Sequence, residues 1–493
     1  MSDSENEYDH EAKEDGILSS HKSENLVILP DGKLGSLTSD IVVPPQLRNA
    51  ELKLICSNNT GSSHAAVLKN GRVVAGGKAD RGGEMGAAQG LLEGQVVQQI
   101  YSTGSAFAAL TTRGRVVAWG DADWGGYIPP GVQGELKRHE VKQICSTEMA
   151  FAALLGNGQV VAWGDAVNGG DSSAARGLLV GQTVQKIYST GRAFAALTTR
   201  GQVVTWGDEL TGGEIPYEVQ GLLEGQKVEK LYSTGRAFAA LTTRGRVVTW
   251  GHTMFGGDSR GVQGELKDQV VEQIYTTPYA FAALTEKGKV VAWGDADWGG
   301  DSSEVQEELK DQVVQKIYSN DNAFAALTTR DRVVAWGDPQ NGGDIDEVQG
   351  QLKGQVVEKI YSTDEAFAAV LRGGRVVSWG IFKGLINIPN DRKVLDILGN
   401  TIILDNWDVL KLDDRYYSLL NDVNYRAFIR NRRRLYTRAI KRTLLNAGDP
   451  EKVLEGPARS NQHAVLGNKD LREFLLTYVN VWRGGPEGEG EGE

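Results

Sequence analysis

Short apolar runs separated by polar turns follow one another along most of this chain. In residues 184–213 the runs Val184–Tyr188, Ala193–Leu197 and Val203–Trp206 are divided by turns that contain glycine, threonine and arginine. Each run spans about four to five residues, which suits a β-strand and is too short for an amphipathic helix. The third run is rich in β-branched and aromatic side chains, and the glycine before it permits a tight hairpin. The pattern therefore predicts three short strands in each repeat.

A tryptophan–glycine pair closes the third run seven times, at intervals of 43 or 44 residues. A phenylalanine in the second run keeps the same interval. A fixed period of this length is typical of stacked or ring-closed repeats, in which each repeat buries its apolar face against its neighbours. We therefore predict that both rings form the core between repeats, since a buried aromatic side chain removes about 150–250 Å² from water. The tryptophans are Trp119, Trp163, Trp206, Trp250, Trp293, Trp336 and Trp379, and the phenylalanines are Phe107, Phe151, Phe194, Phe238, Phe281, Phe324 and Phe367.

The repeat length and the short runs narrow the choice of architecture. Helical repeats of about 40 to 47 residues need two long runs with helical periodicity, and leucine-rich repeats are shorter, at about 20 to 29 residues. The runs in this chain are too short for such helices, and its repeat is too long for a leucine-rich repeat. A β-propeller blade or a β-solenoid rung therefore remains. Polar, variable residues follow each glycine-rich loop, as at 262–269, and they predict either a fourth strand or a turn of helix.

Weaker copies of the pattern flank the seven strong repeats. Residues 51–77 carry His64 in the phenylalanine position and Gly76 in the tryptophan position. Residues 25–37 look like half a repeat, and 393–412 look like a last weak repeat. If the incomplete repeats at opposite ends paired in one sheet, they would close a ring and remove exposed sheet edges.

The first weak repeat contains His-Ala-Ala-Val at 64–67 and Asn-Gly-Arg-Val-Val at 70–74, and the later repeats keep Gly-x-Val-Val-x-Trp-Gly. This motif resembles the repeat of the regulator-of-chromosome-condensation family, loosely over 25–412 and firmly over 85–380. The resemblance implies an all-β fold, a β-propeller that usually has seven blades. With the weak repeats included, we expect seven to nine four-stranded blades and a small α-helical C-terminal extension.

Members of this family differ in function, so the resemblance implies no single activity. They include guanine-nucleotide exchange factors for small GTPases, chromatin-docking proteins, light sensors and domains attached to ubiquitin ligases, and a similar propeller inhibits β-lactamase. Exchange activity in the family relies on an inserted wedge, but the near-constant spacing from Trp119 to Trp379 leaves no insertion there. A protein-binding scaffold without enzymatic activity is therefore the favoured interpretation. Nucleotide exchange on a small GTPase partner is kept as an alternative.

Composition divides the chain into four predicted parts. Residues 1–24 form an acidic leader expected to be disordered, and 25–412 form the propeller. Residues 413–483 form a basic helical segment, and 484–493 form a glycine–glutamate tail that is disordered by composition.

Charge and apolar content exclude several classes of protein. A net charge of −11 disfavours nucleic-acid binding by the chain as a whole. No stretch approaches the roughly 20 apolar residues that span a bilayer, and the N-terminus lacks the apolar core of a secretory signal. We expect an intracellular protein, cytoplasmic or nuclear, with no membrane partner. Cys56 and Cys145 replace the tyrosine of the first run, which predicts strand residues rather than a redox pair.

The C-terminal segment carries a concentrated basic charge. Residues 426–442 follow a helical pattern and hold eight basic side chains and no acidic one. A solvated helix face, or one that rests on the acidic propeller, is the favoured interpretation. A nuclear-import or nucleic-acid patch is the alternative, which would suit a chromatin-associated or viral structural protein. The candidate patch residues are Arg430, Arg432, Arg433, Arg434, Arg438, Lys441 and Arg442.

Two rows of variable positions provide candidate protein-binding residues. The first row lies just before the paired glycines, and it predicts exposed aromatic side chains on one rim at Trp124, Phe255 and Trp298. The second row precedes the Ala-Phe step and includes Arg192, Arg236 and Tyr279. We expect this second row at the other end of the ring or at its mouth. Tolerated loop variation is the alternative explanation for both rows.

No group of residues indicates an enzyme or a cofactor. Asp295, Asp297 and Asp301 have the acid spacing of a calcium loop, and Asp121 and Asp123 give a partial copy. Most repeats make this turn without a second acid, so we expect backbone hydrogen bonding rather than a metal. The six histidines are scattered and no phosphate-binding loop is present. We therefore predict no catalytic residue, no cofactor and no metal.

Overall fold

The computed structural model describes residues 26–28, 34–36, 52–58, 60–381, 384–387, 394–398, 401–404 and 409–411. All of them belong to one compact unit, Met1–Tyr425. The predictions for the acidic leader, the basic helical segment with its patch from Arg430 to Arg442, and the glycine–glutamate tail lie outside the described residues.

Thirty short strands form ten antiparallel sheets in the described part of the chain. Eight sheets have three strands, one has four and one has two. The two-stranded sheet is β1 (Leu26–Ile28) and β2 (Leu34–Ser36). The others, which we call units 1 to 9, are β3 to β5 (Leu52–Ser57, Ser63–Leu68, Val73–Gly77), β6 to β8 (Val97–Ser102, Ala106–Thr111, Val116–Gly120), β9 to β11 (Val141–Ser146, Ala150–Leu155, Val160–Gly164), β12 to β14 (Val184–Ser189, Ala193–Thr198, Val203–Gly207), β15 to β17 (Val228–Ser233, Ala237–Thr242, Val247–Gly251), β18 to β20 (Val271–Thr276, Ala280–Thr285, Val290–Gly294), β21 to β23 (Val314–Ser319, Ala323–Thr328, Val333–Gly337), β24 to β27 (Val357–Ser362, Ala366–Leu371, Arg375–Gly380, Gly384–Asn387) and β28 to β30 (Val394–Leu398, Thr401–Leu404, Val409–Lys411).

Each unit is a meander in which the second strand lies between the first and the third. In unit 5 Phe238 pairs with Ser233 on one side and with Trp250 on the other. The first strand carries a register shift near Val228, as it does in the equivalent units. The all-β class is therefore confirmed, and the repeated three-stranded sheets fit the blade pattern of a β-propeller.

The prediction of four strands in every blade is wrong for units 1 to 7, because a helix follows the third strand there. These helices are α1 (Ala87–Leu92), α2 (Pro130–Arg138), α3 (Ser173–Leu178), α4 (Tyr217–Leu223), α5 (Gln263–Leu266), α6 (Gln306–Leu309) and α7 (Asp346–Leu352). Other helical turns lie at Ala79–Arg81, Ala122–Gly126, Ala166–Gly170, Glu209–Thr211, Thr253–Phe255, Arg260–Val262, Ala296–Trp298, Ser303–Val305 and Pro339–Asn341. Among the described residues no helix is long and apolar enough to cross a membrane.

The physical reason for the helix is a local apolar spacing of four residues. Ile215, Val219 and Leu223 lie against the core between units 4 and 5, on one face of the α4 segment. Residues four apart also lie on one side of a β-strand, so this spacing alone does not exclude a strand. Gln220 and Gly221, however, are not residue types that favour a strand or the packing of a sheet. Ile128 and Val132 repeat the arrangement ahead of the buried Leu136.

A phenylalanine, a tryptophan and a glycine form the contact between consecutive strong units. Phe238 stacks on Trp250 of its own unit with ring centroids 5.5 Å apart. The Trp250 indole N–H donates a 3.1 Å hydrogen bond to the carbonyl of Gly212 in the preceding unit. Six further tryptophans make the same bond at 3.0 or 3.1 Å, and all seven are buried. The core is thus a series of clusters, each shared by two neighbouring units.

The terminal sheets pair within themselves. In the described strands β1 pairs with β2, while β28, β29 and β30 form their own sheet. The anticipated pairing of incomplete repeats from opposite ends is therefore not what these strands show. Cys56 and Cys145 lie on first strands, and neither is in a disulfide.

The first unit contains a buried histidine where the strong units have phenylalanine. His64 pairs across the sheet with Gly76, and its Nδ1 lies 2.8 Å from the Ser57 hydroxyl. Burial lowers the pKa of His64 below its usual value, because the imidazolium form loses hydration inside the protein.

We expect the His64→Phe variant to lose part of the pH dependence of stability. Since the folded pKa is depressed, the unfolded chain binds the proton first as pH falls below about 6.5. The contribution of neutral His64 is therefore complete above that pH and decreases as the pH falls towards the folded pKa. Urea unfolding at neutral pH and at about pH 5 should show a smaller difference for the variant. His139→Gln is the control, and an unchanged difference in His64→Phe would contradict the expectation.

Candidate protein-binding surface

The two variable rows lie at the same end of the sheets, so the second row does not occupy the other end of the ring, which was one of the two places expected for it. In a meander the loop between the first and second strands and the loop after the third strand lie at the same end of the sheet. We call them the first loop and the exit loop, and we call this end of the sheets the rim. In unit 5 the first loop runs from Thr234 to Arg236 and the exit loop from His252 to Gly257.

A threonine in the first loop holds the exit loop of the same unit. Thr234 Oγ1 donates a 2.9 Å hydrogen bond to the carbonyl of Phe255, and it accepts one from the Ala237 N–H. Equivalent bonds bring the two loops together in units 2, 3, 4 and 6, and Asn320 supplies the bond through its amide in unit 7. This role was not predicted, although a threonine recurs at this position in most of the repeats.

Peptide hydrogen bonds join the first loops of neighbouring units. The N–H of Gly191 donates to the carbonyl of Gly235 at 2.8 Å, and Gly235 donates to Pro278 at 2.7 Å. Pro278 has no N–H, so the series cannot continue through it; a further bond joins Asp321 to Asp364 at 3.2 Å. Gly104 donates to Glu148, and Glu148 donates to Gly191, at 2.7 Å each, so the first loops of units 2 to 6 are held side by side along the rim.

Four of the six predicted contact residues meet in one cluster across units 5 and 6. The rings of Phe255 and Tyr279 have centroids 5.3 Å apart with a 36° tilt, and Tyr279 and Trp298 are 4.8 Å apart with a 30° tilt. The Arg236 guanidinium lies 4.9 Å from the centre of the Phe255 ring. We call these four residues the aromatic column. Cation–π and offset aromatic contacts of this kind each contribute about 0.5–1.5 kcal/mol.

His252 extends the cluster at its edge. Its ring meets Phe255 in a T-shaped contact with centroids 5.1 Å apart. Its Nδ1 atom is buried and has no hydrogen-bond partner among the described residues. His252 thus borders the column on the side of Phe255.

The aromatic residues of the rim are half-buried, not fully exposed as expected. Phe255 packs against the core between units 5 and 6, and Trp124 packs against the core between units 2 and 3. Trp298 is also half-buried. Each ring is partly covered by a first loop. Trp124 lies against Gly104, and Phe255 and Trp298 lie beside Tyr279.

Trp124 and Arg192 lie on the rim but outside the column. Trp124 belongs to unit 2, whereas Arg192 is exposed in unit 4. The Arg192 side chain forms a 3.5 Å ion pair with Glu148 of unit 3. This exposed pair is worth little in stability, so Arg192 stays available to a partner.

Three exposed apolar residues of the rim were not singled out from the sequence. Val167, Leu210 and Met254 each precede the variable residue of the exit loop in units 3, 4 and 5. Between 62% and 74% of each side chain is exposed. In the sequence each of them can be recognised as an apolar residue that lies between the turn-forming aspartate or histidine and the paired glycines. We call these residues the apolar row.

The acidic residues of the exit loops make backbone hydrogen bonds. Asp295 accepts from the Asp297 N–H at 3.2 Å, Asp301 accepts from Ser303 at 2.8 Å, and Asp121 accepts from Asp123 at 2.9 Å. In the part of the chain that the structure describes, no group of three or more histidine, cysteine or acidic side chains could hold a metal ion.

One exposed ion pair borders the rim. Arg260 forms a bidentate contact with Asp258 just after the exit loop of unit 5. The hydrogen bonds from Arg260 lower the pKa of Asp258 below its usual range. Asp258 therefore stays ionised, and its charge is compensated within the loop.

Comparisons with known proteins give likenesses of structure only. No protein-family model matches this sequence, and none of the curated proteins compared with it matches either. Similar solved structures include the WD40 ectodomain of the Arabidopsis thaliana receptor kinase ACR4, with 16% identity, 58% of this chain and 94% of that chain covered, and a TM-score of 0.30. Prp20p from Saccharomyces cerevisiae has 18% identity, coverage of 50% and 72%, and a TM-score of 0.32. Human WBSCR16 has 16% identity, coverage of 50% and 77%, and a TM-score of 0.32. None of these likenesses assigns a function to this chain.

Proposed function

We propose that this protein is a non-enzymatic protein-interaction scaffold built on condensation-regulator-type propeller repeats, and that the aromatic column is the centre of its contact surface. The repeated three-stranded sheets and the Gly-x-Val-Val-x-Trp-Gly motif support the scaffold. The composition of the aromatic column supports its assignment as a contact surface, since Tyr, Trp, Phe and Arg are the residue types enriched at the centres of protein interfaces.

The observation that carries the proposal is the contrast between constant and variable positions. Every strong unit has the same phenylalanine, tryptophan and inter-unit hydrogen bond, so these positions serve the packing. The column occupies positions that hold other residue types elsewhere, such as Asn168 and Thr211 in the exit loops. Packing therefore does not require Phe255, Tyr279 or Trp298, yet these three rings lie in contact on the rim.

The proposal predicts that the double variant Tyr279→Ala, Trp298→Ala of the full chain loses its protein partners. Removing two interface anchors of about 2 kcal/mol or more each should reduce the recovery of a partner by at least tenfold. Quantitative affinity purification with mass spectrometry measures the recovery, and far-UV circular dichroism checks that the variant is folded.

The matched control is the double variant Tyr127→Ala, Tyr217→Ala, which removes two exposed rings from other parts of the chain. It should keep the partner list of the wild type. Equal recovery with both double variants would contradict the proposal. Acceleration of nucleotide release from a small GTPase by the wild-type chain would favour the alternative of an exchange factor.

A further inference from the structure

The end of the sheets opposite the rim carries a row of exposed cations. In each of units 1 to 8 the loop between the second and third strands lies at this end. We call these loops the base loops, and this end of the sheets the base. The base loops of units 1 to 8 hold twelve basic side chains, all of them exposed, and two acidic ones, Glu286 and Asp331. In units 5 to 7 the basic residues are Arg244, Arg246, Lys287, Lys289, Arg330 and Arg332.

The turns do not require these cations. Asn157 and Gln159 occupy the equivalent positions in unit 3, and Gln202 occupies one of them in unit 4. Threonine makes the turn instead: in unit 5 the Gly245 N–H donates to the Thr242 carbonyl at 2.8 Å, and the Arg246 N–H donates to the Thr242 hydroxyl at 3.1 Å. A row of cations in a chain with a net charge of −11 therefore has a cause outside the local fold.

Neighbouring segments do not cancel the charge of the base loops. The linkers between helices α1 to α7 and the following first strands hold four basic and five acidic side chains. The first three residues of the first strands in units 1 to 8 add six basic and three acidic ones. Two base-loop cations are already paired, Arg332 with Glu308 at 2.6 Å and Arg372 with Glu358 at 4.0 Å. Helices α1 to α7 carry seven acidic and three basic side chains, so the base stays cationic even when they are counted with it.

The rim carries the opposite charge. Among the described residues of units 1 to 8, the first loops and the exit loops, each counted to its second glycine, hold thirteen acidic and four basic side chains. Their formal charge is therefore −9. One of the four cations, Arg192, is already paired with Glu148 at 3.5 Å. In units 2 to 4 the acidic residues are Asp121, Asp123, Glu148, Asp165, Asp208 and Glu209.

Peptide hydrogen bonds hold the loops in order at both ends. At the base, the Val271 N–H donates to the carbonyl of Gly245 in the base loop of unit 5 at 2.9 Å. The N–H of Glu286, in the base loop of unit 6, donates to the carbonyl of Val270 at 2.9 Å. Because the same sheets carry the rim loops and the base loops, both sets recur once in every unit. The acidic loops of one copy can therefore face the cationic loops of another copy unit by unit.

Each end also exposes apolar side chains among its charges. At the rim this is the apolar row, whose equivalent positions hold Asp123 and Asp297 in units 2 and 6, so the repeat does not need apolar residues there. At the base Val96, Val270 and Val313, in the linkers beside the base loops, are between 43% and 49% exposed. A contact between the two ends would remove both sets from water.

We infer that this chain binds a second copy of itself head to tail, with the base of one copy on the rim of the other. This inference rests on the proposed function, because it names a partner for the rim. The opposite charges of the two ends and their common repeat interval provide the complementarity. Such a contact is heterologous, so every assembly keeps one free rim and one free base to which further copies add. The net charge of −11 repels whole copies, but loops in contact lie within the screening length of about 10 Å in 0.1 M salt.

Sedimentation velocity of the full wild-type chain tests the inference. In about 0.1 M salt the weight-average mass should rise with protein concentration beyond that of a dimer. In about 1 M salt, where the screening length falls to about 3 Å, the mass should return towards that of one chain. A chain that is monomeric at about 0.1 mM, that stops at a dimer, or whose association ignores salt would overturn the inference.

Two double variants weaken the contact from opposite sides. Glu209→Lys with Asp297→Lys changes the rim, and Arg244→Glu with Lys287→Glu changes the base; all four side chains are exposed. Each double variant should raise the concentration of half assembly at least tenfold, because it places like charges opposite one another. Far-UV circular dichroism checks that both variants are folded.

A mixture of the two double variants tests the head-to-tail arrangement. The rim variant keeps an unchanged base, and the base variant keeps an unchanged rim. An equimolar mixture should therefore associate at a concentration at which each variant alone is monomeric. A mixture that stays monomeric there would overturn the inference.

Matched controls change the net charge equally at exposed residues of the helices between the units. Glu218→Lys with Glu265→Lys, in α4 and α5, matches the rim variant. Lys137→Glu with Arg176→Glu, in α2 and α3, matches the base variant. Both controls should keep the concentration of half assembly within about twofold of the wild type. Equal effects of controls and end variants would show a response to net charge alone and would overturn the inference.

Failure of this inference differs from failure of the proposed function. A chain that stays monomeric but loses its other protein partners in Tyr279→Ala with Trp298→Ala would overturn the inference and leave the scaffold intact. A chain that stays monomeric and keeps its partners in that column variant would overturn both. Association lost in each end variant, restored in their mixture and kept in the controls would support the head-to-tail contact.

Discussion

Phe238→Ala is expected to destabilise the protein by about 3–5 kcal/mol, the usual cost of removing a fully buried aromatic ring. Phe238 is 0% exposed and lies between units 4 and 5, among Ala193, Ala195 and Leu231. Its ring also stacks on Trp250. Alanine would leave a cavity at the contact between two units, and close-packed sheets on both sides can fill it only in part. Urea unfolding followed by tryptophan fluorescence and circular dichroism measures the loss.

The position of Phe238 adds an expectation about cooperativity. In a repeat array each unit is stabilised mainly by its neighbours, so a weakened contact can divide the array into two parts that unfold separately. The two optical probes should then give non-coincident transitions. Tyr217→Ala is the control, because Tyr217 is 88% exposed and its loss should change stability by less than about 0.5 kcal/mol. A loss below about 1 kcal/mol for Phe238→Ala would contradict the assigned packing.

Gly212→Ala is expected to destabilise the protein by about 2–5 kcal/mol, although it adds a single methyl group. Gly212 has a φ of +99°, a left-handed conformation that costs other residues about 1–2 kcal/mol. A Cβ atom there would lie 2.7 Å from Cδ2 of Phe238. Overpacking of a buried ring adds about 1–3 kcal/mol. Because the Gly212 carbonyl accepts the Trp250 indole hydrogen bond, any shift of the loop also disturbs that bond.

A second glycine in the same unit provides the matched control. Gly221 lies in α4, has no positive φ, and a Cβ atom there would meet nothing within 4 Å. Gly221→Ala should therefore stabilise the protein by about 0.5–1 kcal/mol, since alanine loses less conformational freedom in a helix. Thermal unfolding of both variants measures effects of opposite sign. A similar loss in both would show that the Gly212 contact with Phe238 is not the cause.

The constant positions of the repeat were predictable because their physical requirement is local and repeated. Phe238 and Trp250 alternate with small and β-branched residues in short runs, and this is the pattern of strands buried between sheets. The sequence did not distinguish a turn of helix from a fourth strand after the third strand, because four-residue spacing over a segment as short as Tyr217–Leu223 is a weak signal beside a polar, variable composition. The packing of Leu223 against the core between units 4 and 5 determines that this segment is a helix.

The candidate surface was predictable in its residues but not in its arrangement. Phe255, Tyr279 and Trp298 stand out in the sequence because the repeat does not need them. Tyr279 was nevertheless expected at the other end of the ring from Phe255 or at the mouth of the ring, since nothing in the spacing of residues shows which loops lie at the same end of a sheet. The meander direction and the Thr234 hydrogen bond bring them together. The apolar row was missed because a single exposed apolar residue in one loop is ordinary, and only three in adjacent units form a patch.

The sequence by itself determined the period of the repeat, the three strands of each unit and the rings that pack between units, since these depend on composition and spacing within a single repeat. Tertiary structure alone decided that helices replace the fourth strand in units 1 to 7, that the terminal sheets pair within themselves, and that both variable rows share one rim. The helices and the shared rim depend on contacts between separate strands, helices and loops, which the spacing inside one short run does not show. A local pattern specifies which side chains must be buried, but the neighbouring unit determines where the remaining ones meet.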